Sequence, residues 1–179
     1  MGKWKGNTKN SRGFDRRKHG GEERVVAGSF TLESLKESAA WGSRVEFKNA
    51  PKRNWALCFG YIGSKYQGLQ MNPNCNSVER HLERALLLAG GIQEVNFGNL
   101  NRIHWSRAAR TDKGVHANAQ CIAVKLAVYK GDEGSDEERS SARRVFVSKI
   151  NEFLPSDIHL HHITKVTKKF NAKNFCGSR

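Results

Sequence analysis

The sequence predicts an α+β domain built on one antiparallel sheet. Three observations carry this: short apolar runs of strand character at 55–62, 103–109, 119–128 and 158–166; apolar residues at helical spacing near 76–89 and 142–153; and their order, strand, helix, strand, strand, helix, strand. A chain of 179 residues holds one such domain with a tail and is short for two full cores.

Residues 1 to 53 are rich in Gly, Ser, Asn, Lys and Arg, with apolar character only around Phe30-Thr31-Leu32-Glu33-Ser34-Leu35, and are expected to be mostly disordered. Order is expected from residue 54, with Trp55-Ala56-Leu57-Cys58-Phe59-Gly60-Tyr61-Ile62 as the first, buried strand. Residues 63–74 contain too much Gly, Asn and Pro for a helix and form a loop. Asn76 or Ser77 can then cap a helix, with Glu79 three residues after Asn76 as in a capping box, and Val78, Leu82, Ala85, Leu86 and Ala89 as its apolar stripe. Arg80, Glu83 and Arg84 are expected to face solvent or RNA, and Gly90-Gly91 to end the helix. Two strands follow, 103–109 and 119–128. A Gly- and acid-rich insertion at 129–138 leads to a second amphipathic helix that Leu154-Pro155 closes, and a last strand spans 158–166. This order is that of the ferredoxin-like, or split βαβ, arrangement, with both helices on one face of four antiparallel strands.

Lysine and arginine total 31 against 17 acids, a net charge of +14 with a pI near 10.0. The excess is shared between 1–54, with 13 basic and 6 acidic residues, and 55–179, with 18 and 11, so the folded part is itself basic. Such a charge favours a polyanionic partner, nucleic acid first and an anionic membrane surface second. Cys58, Cys75, Cys121 and Cys176 form no C-x-x-C pair, which suits a reduced intracellular protein. No apolar run approaches a membrane span and the N-terminus has no secretory apolar core, so a soluble chain is expected. The Arg16-Arg17-Lys18 cluster reads as a nuclear targeting signal, an RNA-contacting arm or a plain solvated charge run. A nucleus is the expected compartment, with cytoplasm or an organelle as alternatives.

Between the second and third strands, Asp112-Lys113-Gly114 places a carboxylate among cations at a chain reversal. On its own such an aspartate is most simply a turn residue. Its surroundings point further. The stretch Ala109-Arg110-Thr111-Asp112-Lys113-Gly114-Val115-His116-Ala117 is accompanied by Tyr61-Ile62-Gly63-Ser64-Lys65-Tyr66-Gln67-Gly68-Leu69-Gln70, by Leu154-Pro155-Ser156-Asp157-Ile158 and by Phe170-Asn171-Ala172-Lys173. Together they resemble, in family order, the motifs of the TruA-like tRNA pseudouridine synthases, in which Y-x-G-x-x-Y-x-G-x-Q, L-P-x-D-I and F-x-A-[KR] segments accompany the aspartate motif. The resemblance covers residues 55–179 and is closest to the eukaryotic branch.

That resemblance implies a cofactor-free isomerisation of uridine to pseudouridine in tRNA. Asp112 is the catalytic carboxylate, either nucleophile on the sugar or base, and Arg110 fills the space left by a flipped-out nucleotide. Arg110 can alternatively pair with phosphate or with Asp112 itself. Thr111, Lys113, Tyr66 and Gln70 are carried over as loop-shaping and substrate-binding positions, and Tyr61 as a loop or core residue. His116 is expected to be structural, and His159, His161 and His162 show no metal-ligand spacing. The family has two ferredoxin-like domains. Residues 54–169 correspond to the first and 170–179 to the start of a linker, so the chain is expected to be an incomplete part. Arg179 matches the start of an R-x-Y-x-Y segment whose first tyrosine stacks on the target uracil. The alternative function is a non-catalytic ferredoxin-like RNA-binding module, weakened by the lack of an RNP1-like aromatic motif on the third strand. tRNA is the expected partner; no membrane is expected, and oligomeric state is left open.

Overall fold

A computed structural model describes residues 30–45, 50–128 and 134–174. Its centre is β1 (Lys52–Tyr61), flanked by β3 (Ala117–Ala127) and β4 (Ile158–Lys165), with the two-residue β2 (Ser106–Arg107) outside β3. The sheet order is β2-β3-β1-β4 and each neighbouring pair is antiparallel. Side chains alternate across a strand, so Trp55, Leu57, Phe59 and Tyr61 share one face and are all buried. Register sets Trp55 opposite Val124, Leu57 opposite Ile122 and Ile163, and Tyr61 opposite Ile158. Val78, Leu82, Leu86, Phe146 and Ile150 from two helices join the same core cluster. Each fully buried residue of this size contributes about 1.5 to 3 kcal/mol, so the sheet and both helices stand or fall together. The class is α+β, as expected.

The two principal helices are α3 (Val78–Leu88) and α4 (Asp136–Phe153), preceded by the short α1 (Leu32–Lys36) and α2 (Ala39–Gly42). Helix α3 ends where the sequence predicts: the Gly90 N–H donates to Leu87 O at 3.0 Å and the Gly91 N–H to Leu86 O at 2.8 Å, the paired bonds of a Schellman motif.

Several expectations are corrected. The N-cap of α3 is Ser77, one of the two expected candidates, but no capping box forms: Ser77 makes no side-chain cap bond and Glu79 is drawn into the interior by partners described below. Glu83 faces inward, 1 % exposed, because it accepts the Gly98 N–H at 2.8 Å. The second strand shrinks to two residues because Leu100–Ile103 coil into a 3-10 turn and His104 takes a left-handed φ of 52°. Part of the acidic insertion opens α4 instead: Ser135 and Glu138 form a capping box, and Asp136, Glu137 and Glu138 complement the helix N-terminus. Residues 30–45 form α1 and α2, with Leu35 2 % exposed in the core. Arg44 stacks 3.9 Å from the Trp41 ring centroid and pairs with Glu94 at 2.8 Å, and the Val45 N–H reaches Leu88 O at 2.8 Å. Arg16, Arg17, Lys18, Cys176 and Arg179 lie outside the described residues. Among those described, Cys58 and Cys75 are free thiols, and no helix is long and apolar enough to cross a membrane.

Candidate active site

The chain between β2 and β3 returns through a turn in which the Val115 N–H donates to Asp112 O at 3.3 Å and Gly114 takes φ +79°, a value that favours glycine. This turn is held by the 63–71 loop. Leu69 N–H donates to Thr111 O at 3.2 Å and Gly114 N–H to Tyr66 O at 3.2 Å. Gly68, at φ +121°, packs so closely that a Cβ there would sit 2.7 Å from Thr111 O. The side chains add a third tie, since the Tyr61 hydroxyl and Thr111 Oγ1 are 2.6 Å apart.

The 63–71 loop is itself anchored twice. At its start, the Tyr66 hydroxyl donates to Asp157 Oδ1 at 2.5 Å, Lys65 Nζ lies 3.4 Å from Asp157 Oδ2, and the Ile62 N–H reaches Asp157 O at 2.8 Å. Burial first, and then the Asp157 carboxylate, push the Tyr66 pKa up, so the hydroxyl stays a donor. At its end, Glu79 is 0 % exposed and accepts from Met71 N–H at 2.8 Å, Trp105 Nε1 at 2.8 Å, Arg107 Nε at 2.5 Å and Arg107 Nη2 at 2.9 Å. The bidentate guanidinium supplies the counter-charge that a buried carboxylate requires. Glu79 therefore ties helix α3, the loop and β2 into one unit behind the Asp112 turn. Beside it, His81 bonds Asn76 Oδ1 at 2.8 Å; burial first, and then Arg84, lower its pKa to about 4, so it is a neutral structural side chain.

Three of the motifs singled out in the sequence, 61–70, 109–117 and 154–158, thus meet at one end of the sheet. The fourth passes β2, where the Ala172 N–H donates to Ser106 Oγ at 3.1 Å. Arg110, Asp112, Lys113 and His116 are exposed, Thr111 and Gln70 are half-buried, and Tyr66 is 3 % exposed with its hydroxyl committed to Asp157. Tyr66 accordingly shapes the loop. The ion pairs found among the described residues do not include one between Arg110 and Asp112. Asp112 is displayed on a rigid backbone with its carboxylate open to a ligand. Glu79, Arg107 and Asp157 were not singled out as site residues from the sequence. The available signal was a carboxylate at 79 in phase with the apolar stripe of Val78 and Leu82.

No family profile matches the chain. The tRNA pseudouridine synthase 1 of Eremothecium gossypii is 39% identical over 129 residues, 72% of this chain and 22% of that protein. That of Schizosaccharomyces pombe is 36% identical over 129 residues, with the same coverage of 72% and 22%. The tRNA pseudouridine(27/28) synthase of Saccharomyces cerevisiae is 35% identical over 123 residues, 69% of this chain and 30% of that protein. The chain thus spans between a fifth and a third of the length of these relatives. Over the stretch it shares with them, the chain is similar to TruA-type tRNA pseudouridine synthases.

Proposed function

We propose that the chain carries the catalytic carboxylate of a tRNA pseudouridine synthase. The observation that supports this most is the exposed Asp112 on a turn pinned by the 61–71 loop and, through it, by Asp157 and Glu79. In the reaction the bond from uracil N1 to the ribose C1' breaks, the base turns, and C5 bonds to the same carbon, losing its proton while N1 takes one up. Asp112 acts at the sugar, as nucleophile or as base. Arg110, two residues before it and equally exposed, fills the gap left by the extruded nucleotide. Thr111, Lys113 and Gln70 lie on the two loops around the turn as contacts for the RNA. The strand order and the two helix crossovers support a ferredoxin-like arrangement for this part. Because the relatives are longer, the remaining wall of the cleft, including the tyrosine that stacks on uracil, belongs to the rest of such a protein.

The test is tritium release from tRNA carrying 5-tritiated uridine, run on the protein at the length of its relatives. Asp112→Ala abolishes release while tRNA binding survives. Undiminished release from the variant overturns the role of Asp112. Binding without release by the unaltered protein favours a non-catalytic RNA-binding module.

A further inference from the structure

We propose that the groove between α4 and the outer edge of β4 is a second RNA contact, one that takes the phosphodiester backbone; the inference rests on the RNA substrate proposed above. The groove encloses about 500 Å³ and lies beside the edge strand of the sheet, separated by β1 from β3 and the Asp112 turn that precedes it. Arg143, Arg144 and Ser148 line it from the helix and His159, His161 and His162 from the strand, and none of its lining residues is a carboxylate. A concave surface with two guanidinium groups and no acid concentrates anions, and His159 and His162 add ring nitrogens to it, while His161 Nε2 already lies 3.1 Å from Asn118 O.

Two details narrow the occupant. Arg143 is half-buried, its guanidinium 5.4 Å from the Trp55 ring centroid, and its buried Nε has no hydrogen-bond partner. No carboxylate pairs with it among the ion pairs found in the described residues. A cation in that position without a counter-charge is costly, and an anionic ligand offsets the cost. The edge of β4 is also closed to a polypeptide strand at its middle: Asn151 Nδ2 donates to Leu160 O at 2.9 Å and Asn151 Oδ1 accepts the Leu160 N–H at 2.8 Å. A side chain that satisfies both backbone groups blocks strand addition there. A polyanion that needs donors and no ladder bonds fits this surface better than a protein strand. Arginine, histidine and serine donors to phosphate oxygens position an RNA without reading its bases.

The test titrates the full chain with an unmodified tRNA transcript and with polyuridylate over a series of KCl concentrations. Arg144→Glu combined with His162→Glu, both on exposed positions, is expected to weaken binding of both RNAs about tenfold and to make the salt dependence shallower by roughly one phosphate contact. Arg144→Lys is expected to keep most of the affinity. Arg143→Ala, read together with its melting temperature because of the Trp55 contact, gives a second estimate of the same loss. Unchanged affinity and salt slope in the double variant overturn the proposal, as does a loss confined to one RNA. So does loss of self-association or of a protein partner at unchanged RNA affinity, which marks the groove as protein-facing. Isomerisation by the unaltered protein with RNA binding untouched in the groove variants sinks the groove alone. Loss of RNA binding in those variants with no isomerisation by the unaltered protein sinks the catalytic reading alone.

Discussion

Glu79 bonds the loop that ends at Met71, Asp112 lies between two residues that bond it, Thr111 and Gly114, and the two carboxylates are held in opposite ways. Glu79 is fully buried and its two oxygens receive four donors from three separate residues. Asp112 is exposed; its backbone is fixed through neighbours at Thr111 and Gly114, and its carboxylate is left open. A carboxylate that organises a fold must be satisfied by the fold, whereas one that does chemistry must be satisfied by the substrate. The rigidity of the second is borrowed from the first, because the loop fixed by Glu79 is the loop that bonds Thr111.

The largest separation between the two is expected on substitution by alanine. Asp112→Ala removes all tritium release and moves stability by no more than about 0.5 kcal/mol, as for an exposed residue without partners. A large fall in melting temperature would show that Asp112 is structural. Glu79→Ala leaves the Arg107 guanidinium without its partner and costs about 3 to 5 kcal/mol in denaturant unfolding, the range for breaking a buried pair. Glu79→Gln, which retains an acceptor of the same shape, is expected to fall between the two. Equal stability of Glu79→Ala and the unaltered chain would dissolve the comparison.

Much of this arrangement was legible in the sequence where the cause is local. The alternation of Trp55, Leu57, Phe59 and Tyr61 encodes the buried face of β1, and Asp112-Lys113-Gly114 encodes its turn. Glu79 and Glu83 escaped because their burial is decided elsewhere: Trp105 and Arg107 stand 26 and 28 residues beyond Glu79, and Gly98 is 15 beyond Glu83. A charge in phase with an apolar stripe looks like an interruption until its distant partner is known. β2 was overestimated for a related reason. The left-handed turn at His104 is a backbone property of one residue inside an apolar run, which hydropathy does not record.

Glu83 sharpens the comparison, since it is buried like Glu79 but lacks a bidentate guanidinium. Burial first raises its pKa from 4.5 to about 7, with the Gly98 N–H and Arg80 opposing. A folded pKa above the unfolded one means that the folded state binds the proton more tightly. The stabilising contribution is therefore complete below about pH 4.5 and is lost as pH rises through about 7. At roughly 1.4 kcal/mol per pH unit the loss is on the order of 3 kcal/mol. Glu83→Gln keeps an acceptor for Gly98 and is expected to stabilise the chain at pH 8 and to have little effect at pH 5. A gain independent of pH would show that Glu83 is ionised throughout.

The smallest expected effect concerns the link between the buried frame and the open carboxylate. Tyr61 is 5 % exposed, burial raises its pKa, and its hydroxyl meets Thr111 Oγ1 next to Asp112 in the chain. Tyr61→Phe removes one hydrogen bond without opening a cavity and costs about 1 kcal/mol of stability. If that bond helps hold the Asp112 turn in its reactive position, turnover falls by several-fold, up to about tenfold, at unchanged tRNA affinity. Thr111→Val, which deletes the other partner, then gives the same loss, and the two substitutions together give no more than either alone. Full turnover in Tyr61→Phe would instead assign the positioning to the backbone bonds from Leu69 to Thr111 and from Gly114 to Tyr66, and hence to the loop that Glu79 and Asp157 anchor.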